Sequence, residues 1–336
     1  MPENPPANVI VIAHRGASGE RPEHTLASYR RAIEQGADYI EPDLVMTLDG
    51  VLVARHEPEI GGTTNVADHP EFASRRRAQV IDGETMEGWF TEDFTLAELK
   101  TLRARERLPT LRPANTQYDG EFQVPTFDEI MHLVLDTNRR RPSRPKLGVY
   151  PETKHPAHFQ SIGLPQEAAV IETLSRFGYD AAGSPVFIQS FDPTNLKQLR
   201  GMTRLPLVQL LEHEVKDLPG MARYADAIGI AKSLATAETV AQAHDSGIAV
   251  HVWTFRAENE FLPEDLKSGT DPAAHGNLPA DIERYLARGI DGFFVDFPAI
   301  GVRVRDAVAA RYISAVHPEH QPPTDTSLPG NKLQGR

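Results

Sequence analysis

Short apolar runs recur along the chain, separated by stretches with helical patterning. Eight of them read as strands: Val9–Ala13, Asp38–Asp43, Leu147–Pro151, Val186–Gln189, Pro206–Leu211, Ala227–Ala231, Ala249–Thr254 and Gly292–Asp296. Thr25 to Gln35 reads as a helix closed by Gly36, Thr126–Asn138 as one opened by a Thr126/Glu129 capping box, and Ala299–Tyr312 as the last. Strands alternating with helices predict the α/β class and a (β/α)8 TIM barrel, whose chemistry sits at the carboxyl ends of the strands. Several runs end in polar residues: His14 and Arg15, Glu41 and Asp43, Glu152 and Lys154, Gln189, Glu212, Lys232, Trp253 and Asp296. Such a ring at one edge is unfavourable for folding alone, so it marks a site.

Two segments break the rhythm. Only Leu48-Asp49-Gly50 separates Asp43–Thr47 from Val51–Ala54. A parallel crossover needs on the order of a dozen residues, so this is a hairpin projecting above the barrel mouth. Folded back, it sets His56 opposite Pro42 and Asp43, and a strand leaving the barrel tolerates the donor that Pro42 lacks. From Glu57 to Val124 strands and helices no longer alternate. This stretch carries Gly61-Gly62, the basic run Arg75-Arg76-Arg77, Trp89-Phe90, and one helix with a Thr95/Glu98 capping box. It is expected to be an insertion, 57–124, lying over the mouth of a single barrel domain, 9–312. The Pro-rich polar stretch 317–336 is expected to be a disordered tail.

Composition narrows the function. Of 336 residues, 40% are hydrophobic and 24% charged, ordinary for a globular chain. No apolar run reaches roughly 18 residues, so no membrane insertion is expected. The net charge of −12 argues against nucleic acid as a partner. A small phosphate ester remains open, because a bound cation and a few bases can invert the local field. The chain has no cysteine, which excludes disulfides, thiolate chemistry and Cys-ligated zinc. Its start, MPENPPANVI, shows no signal peptide. A cytoplasmic location is expected for the chain as written, and a periplasmic or secreted one if a signal peptide was removed. Oligomeric state is not legible.

Glu41 and Asp43, two apart on a strand, face the same side roughly 6–7 Å apart. With Glu152 they form three converging oxygen donors, suited to Mg²⁺, Ca²⁺ or Mn²⁺ rather than zinc. The alternative is ion pairing with Arg15 or Lys154. His14, where the first strand turns into its loop, is placed for acid–base work. Its neighbour Arg15 can clamp an anionic oxygen, and Gly16 lets the backbone turn sharply. His56, brought back by the hairpin, would complete a pair able to cleave a P–O bond in line. Lys154 could neutralise a phosphoryl oxygen or pair with a nearby acid. Gln189 could line the cavity or bond within the barrel, and Trp253 could wall the pocket or belong to the core. The other histidines receive no role. His24 and His132 read as solvated residues of helix ends or faces; His155, His158, His213, His244 and His275 read as lacking a second ligand; His251 reads as packed. The P-loop and the G-x-S-x-G elbow are both absent.

The run His14-Arg15-Gly16-Ala17, Arg21-Pro22-Glu23 with Thr25, Glu41-x-Asp43, Asp49-Gly50 and His56 resembles the glycerophosphodiester phosphodiesterase family. Pro151-Glu152-Thr153-Lys154, Gln189-Ser190-Phe191-Asp192 and Val295-Asp296-Phe297-Pro298 continue the resemblance over residues 9–300. Thr63–Asp68 and Asp93–Leu96 resemble its bacterial periplasmic-type branch, which acts on deacylated phospholipids and typically uses Ca²⁺. The resemblance implies metal-dependent hydrolysis of glycerophosphodiesters, such as glycerophosphocholine or glycerophosphoethanolamine, to glycerol 3-phosphate and an alcohol. His14 and His56 would be the acid–base pair, Arg15 and Lys154 phosphate contacts, and Glu41, Asp43 and Glu152 ligands of one divalent cation, Ca²⁺ or Mg²⁺. His24 stands where the family usually has Asn. A lipid-headgroup phosphodiesterase on a similar barrel would need an apolar rim, and the charged insertion offers only Trp89-Phe90. A catalytically silent barrel would have lost a histidine or a ligand carboxylate, and all are present.

Overall fold

The computed structural model describes residues 9–316 of the chain; the tail expected at 317–336 lies outside the described residues. The first strands are β1 (Ile10–His14), β2 (Tyr39–Glu41), β3 (Asp43–Met46) and β4 (Leu52–Ala54). Two short strands follow, β5 (Arg77–Ile81) and β6 (Glu84–Gly88), and then β7 (Gly148–Val149), β8 (Glu152–Thr153) and β9 (Ile188–Ser190). The last four are β10 (Leu207–Leu211), β11 (Ala227–Ala231), β12 (Ala249–Phe255) and β13 (Gly292–Val295). All but β5 and β6 belong to one sheet, parallel apart from the β3–β4 hairpin.

The sheet closes. β13 pairs with β1 and β1 with β2, while Val149 bridges Val186 and Glu152 pairs with Gln189. The second and third barrel strands are each interrupted. Pro42 separates β2 from β3, and Tyr150-Pro151 separates β7 from β8. Proline can still accept, so the amides of Glu152 and Gln189 bond the carbonyls of Pro42 and Pro151 at 2.9 Å each. The chain is thus a (β/α)8 barrel of the TIM type. Strands predicted as single runs at 38–43 and 147–151 are each two short pieces around a proline.

Inward positions alternate along each strand. Ile12, Tyr150, Val208, Ala227 and Phe294 fill the barrel, with Tyr39, Phe187 and Trp253 packed against them. Tyr150 stacks on Phe187 at 5.2 Å and meets Phe294 edge-on at 5.1 Å. Gly148 makes room for this plug, because a Cβ there would lie 2.2 Å from the Tyr39 ring. Two residues on from this layer, on the same face, come His14, Glu41, Glu152, Gln189 and Asp296, so an apolar floor carries a polar mouth.

Helices cover the outside. In α1 (Leu26–Glu34) the Thr25 side chain accepts the Ser28 amide, and Tyr29, Ala32 and Ile33 turn inward. The 57–124 segment contributes the short α2 (Leu96–Leu99), and both helices predicted to carry capping boxes have them. In α3 (Phe127–Arg140), Phe127, Ile130, Met131 and Val134 make the buried stripe expected of helical spacing.

The 57–124 segment holds a hairpin not among the expected elements. β5 and β6 pair antiparallel across Asp82-Gly83, both in the left-handed region (φ 51° and 87°). An Asp-Gly pair between two strands is a strong signal for this turn. Trp89 and Phe90 form no apolar rim: Phe90 is buried, and the Trp89 indole donates to the Phe72 carbonyl at 2.7 Å.

His251 is packed inside the barrel with its Nδ1 2.7 Å from the Tyr150 hydroxyl. Burial pushes it down from 6.5 to about 4. Between those values the unfolded chain binds a proton that the folded chain refuses, so stability is full above about pH 6.5 and falls on acidification. This one group should remove about 2 kcal/mol between pH 7 and pH 5. Urea unfolding of the wild type and His251→Gln at both pH values checks this. The loss between pH 7 and pH 5 should be smaller in the variant by about that amount.

Candidate active site

Register builds the site. His14 pairs laterally with Glu41, Asp43 with Glu152, and Glu152 with Gln189. The hairpin aligns Leu44 with Ala54 and bonds the Arg55 amide to the Asp43 carbonyl, which carries His56 back to the mouth. All nine residues singled out from sequence line one cavity of about 350 Å³: His14, Arg15, Glu41, Asp43, His56, Glu152, Lys154, Gln189 and Trp253. Lys232, Ser233 and Arg256 close its far side. Trp253 lies where the register of β12 against β13 slips, between Val252 and Phe255. A larger groove of about 700 Å³ continues outward past Phe191 and Trp253 to Asp82, Glu84 and Glu212.

The three carboxylates are buried, and one ligand atom from each lies within 4.8 Å of the others. The Arg15 amide donates to Glu41 Oε2 at 2.7 Å and Gln189 Nε2 to Glu41 Oε1 at 3.0 Å. Lys154 pairs with Glu152 at 2.9 Å, and Arg15 Nε lies 3.4 Å from Asp43. Burial, then repulsion from Asp43 and Glu152, pushes the Glu41 carboxyl well above the usual range. Burial likewise pushes Glu152 to about 8 against the pull of Lys154. For Asp43 burial acts upward too, but Lys154 and His24 hold it well below the usual range. Asp43 Oδ1 and Gln189 Oε1 are buried oxygens with no hydrogen-bond partner. Hard oxygens only, one of them unsatisfied, fit a divalent cation.

Each histidine rests on a carboxylate. His14 Nδ1 lies 2.7 Å from Asp296 Oδ1, and His56 Nδ1 lies 2.5 Å from Glu57 Oε1. Taken as Nδ1–H donors, both present an Nε2 lone pair. Burial, then Arg15, pushes His14 down to about 4, and the same causes together with Lys154 lower His56. Asp296 also accepts from Arg112 at 2.5 Å and Arg256 at 3.1 Å, while Glu57 takes two bonds from Arg107, at 2.9 and 2.6 Å.

His24 corrects the sequence reading. It is fully buried, not solvated: Nε2 lies 2.9 Å from Asp43 Oδ2 and Nδ1 2.8 Å from the Tyr29 hydroxyl. Its backbone sits at φ 52°, and its ring lies against Asp43 beneath the mouth. Of the histidines read as lacking a second ligand, His158, His155 and His244 each meet a carboxylate, Glu92 at 2.9 Å, Asp82 at 2.7 Å and Asp291 at 2.8 Å, and the first two contacts tie the 57–124 segment to the barrel. Asp296, a member of the strand-end ring and of the Val295–Pro298 motif, is placed at the mouth by its spacing of two from inward Phe294 and is the partner of His14. No local signal marks Glu57, Arg107 or Arg112.

The model of the glycerophosphoryl diester phosphodiesterase family matches residues 14–300. A glycerophosphodiester phosphodiesterase of Arabidopsis thaliana is 36% identical over 85% of this chain and 83% of its own length. One from Haemophilus influenzae is 29% identical over 87% and 88%. Among solved structures, an Oleispira antarctica phosphodiesterase in complex with the product sn-glycerol-3-phosphate superposes with a TM-score of 0.62, at 20% identity over 89% of this chain and 96% of that one. A glycerophosphodiester phosphodiesterase from Agrobacterium tumefaciens gives 0.58, at 20% identity over 87% and 98%. With its barrel, its polar mouth and a family match over nearly the whole described chain, the protein belongs to the glycerophosphodiester phosphodiesterase family and is an enzyme of that class.

Proposed function

We propose that this chain hydrolyses water-soluble glycerophosphodiesters, glycerophosphocholine and glycerophosphoethanolamine among them, to glycerol 3-phosphate and an alcohol, by two-histidine acid–base catalysis with a divalent cation. The observation that carries this reading is the shared cavity. Two carboxylate-backed imidazoles, three clustered carboxylates, Arg15 and Lys154 all line it. Glu41, Asp43 and Glu152 would hold the ion, Ca²⁺ or Mg²⁺, which when bound supplies charge that offsets the three carboxylates and polarises a phosphoryl oxygen.

The remaining work falls to the chain. Arg15 and Lys154 bind the anionic oxygens of the diester. One imidazole removes the proton of the glycerol 2-hydroxyl as its oxygen bonds to phosphorus, and the other protonates the departing alcohol. Water then opens the cyclic phosphate with the two roles exchanged. The diester anion between the rings favours the extra proton that one of them must carry. Trp253 and Phe191 wall the passage to the outer groove, where the leaving alcohol has room. The charged character of the insertion and the burial of Phe90 favour a soluble diester over a membrane lipid. Thr63–Asp68 and Asp93–Leu96 support the periplasmic-type branch, with the compartment following from whether a leader preceded this chain.

Glycerol 3-phosphate release from glycerophosphocholine should stop in chelator and return with Ca²⁺ or Mg²⁺. His14→Ala and His56→Ala should each lose roughly 100-fold or more in kcat. A wild type inert toward every simple glycerophosphodiester would sink this reading. A substrate whose glycerol 2-hydroxyl is replaced by hydrogen should bind but not turn over. Normal turnover of that analogue would instead establish direct attack by water.

A further inference from the structure

Both histidine-orienting carboxylates are gripped by arginines from the same 57–124 segment. Arg112, whose side chain is 6% exposed, donates to Asp296 Oδ2 at 2.5 Å, to Glu258 at 2.6 Å and to the Ser18 carbonyl at 2.9 Å. Asp296 is left with Oδ1 for His14. Arg107 bonds both oxygens of Glu57 and both of Glu23, at 2.6 to 2.9 Å, and Glu57 Oε1 faces His56. Two separate residues of one segment therefore end on the two acids that touch the two imidazoles.

We propose that Arg107 and Arg112 are positioning residues, through which the 57–124 segment fixes the orientation of the acid–base pair. This rests on the phosphodiesterase reading above. A carboxylate so bonded is held against its imidazole and its charge is partly neutralised, in Asp296 by Arg256 as well as by Arg112. The ring is thereby held with Nδ1 on its carboxylate and Nε2 turned to the reacting group. Arg15, Asp296 and Arg256 act on the charge of His14, which also lies beside Glu41 in register; Arg15, Lys154, Glu57 and Asp43 act on His56. Arginines serving only to dock the segment would need no such partners. The Arg75–Glu98 and Arg77–Asp93 pairs staple the segment internally without touching the mouth.

The test uses the full chain with saturating divalent ion, comparing the wild type with Arg112→Met, Arg112→Lys, Arg107→Met and the surface control Arg105→Ala. Readouts are the pH profile of glycerophosphocholine hydrolysis, NMR titration of the histidine rings, and melting temperature. Arg112→Met should lower kcat roughly tenfold or more, with KM within roughly threefold. It should also move the His14 titration and the acid limb upward by about one pH unit, because Asp296 then acts on the ring with fuller charge. Arg107→Met should do the same for His56. Arg112→Lys should recover part of the loss, and Arg105→Ala should change nothing. Unmoved titrations, or lost activity that follows only a lower melting temperature, would reduce both arginines to staples and overturn the proposal. A wild type inactive on every glycerophosphodiester would defeat the functional reading alone, since the ring titrations would still decide whether the clamps act.

Discussion

Three carboxylates are buried at the mouth of one barrel, and much of the surrounding structure answers that constraint. Glu41, Asp43 and Glu152 would repel one another in a low-dielectric setting, so every flanking element sends a donor or a cation. The first strand supplies the Arg15 amide and guanidinium, the third Lys154, the fourth Gln189, and the loop before α1 supplies His24. Two of these need unusual backbone. Arg15 and His24 both occupy the left-handed region (φ 58° and 52°), at a cost of about 1–3 kcal/mol each. Gly16, at φ 86°, follows in a turn so tight that a Cβ would lie 2.4 Å from Ser28 Oγ. Strain concentrated beside His14 is consistent with a segment shaped for the site and not for packing alone.

The interrupted strands belong to the same design. An unbroken second strand would continue along the barrel wall. With Pro42 in its path the chain instead resumes as β3, leans into the β3–β4 hairpin, and returns with His56. The break at Tyr150-Pro151 matches it laterally, so β8 follows β3 in register and Glu152 stays beside Asp43. Below the breaks, the aromatic plug around Tyr150 gives these polar side chains a rigid floor.

Legibility in the sequence followed range. Strands, helix caps and the hairpin at 48–50 rest on neighbours a few residues apart, and each was readable from apolar runs, Thr-x-x-Glu spacing or loop length. So were the residues of the ring, because a strand end and a two-residue spacing fix where a side chain faces. The partners were not readable. Asp296 meets His14 across 282 residues, Arg112 meets Asp296 across 184, and Arg107 meets Glu23 across 84. Nothing local distinguishes those arginines from the surface ones in the same segment. His24 failed for a different reason: its position suggested a solvated helix end, and its ring instead lies against Asp43. The β5–β6 hairpin is legible in Asp82-Gly83, an Asp-Gly pair between two strands.

The charge of the mouth also bears on why anion and cation belong together here. Arg15, Lys154, Lys232 and Arg256 line the cavity against Glu41, Asp43 and Glu152. Yet Lys232 is already paired with Asp281 and Arg256 with Asp296, so the positive charge left for a ligand is small. In a chain of net charge −12, an anionic diester entering this cavity alone would gain little. A divalent ion among the carboxylates would release Arg15 and Lys154 from neutralising Asp43 and Glu152, and both would then face the phosphate. Ion and substrate would each favour the other's binding, by a coupling that is reciprocal by thermodynamic necessity. Under the proposed function, the residues that make the carboxylate cluster tolerable in the folded protein would be the ones freed to hold the substrate.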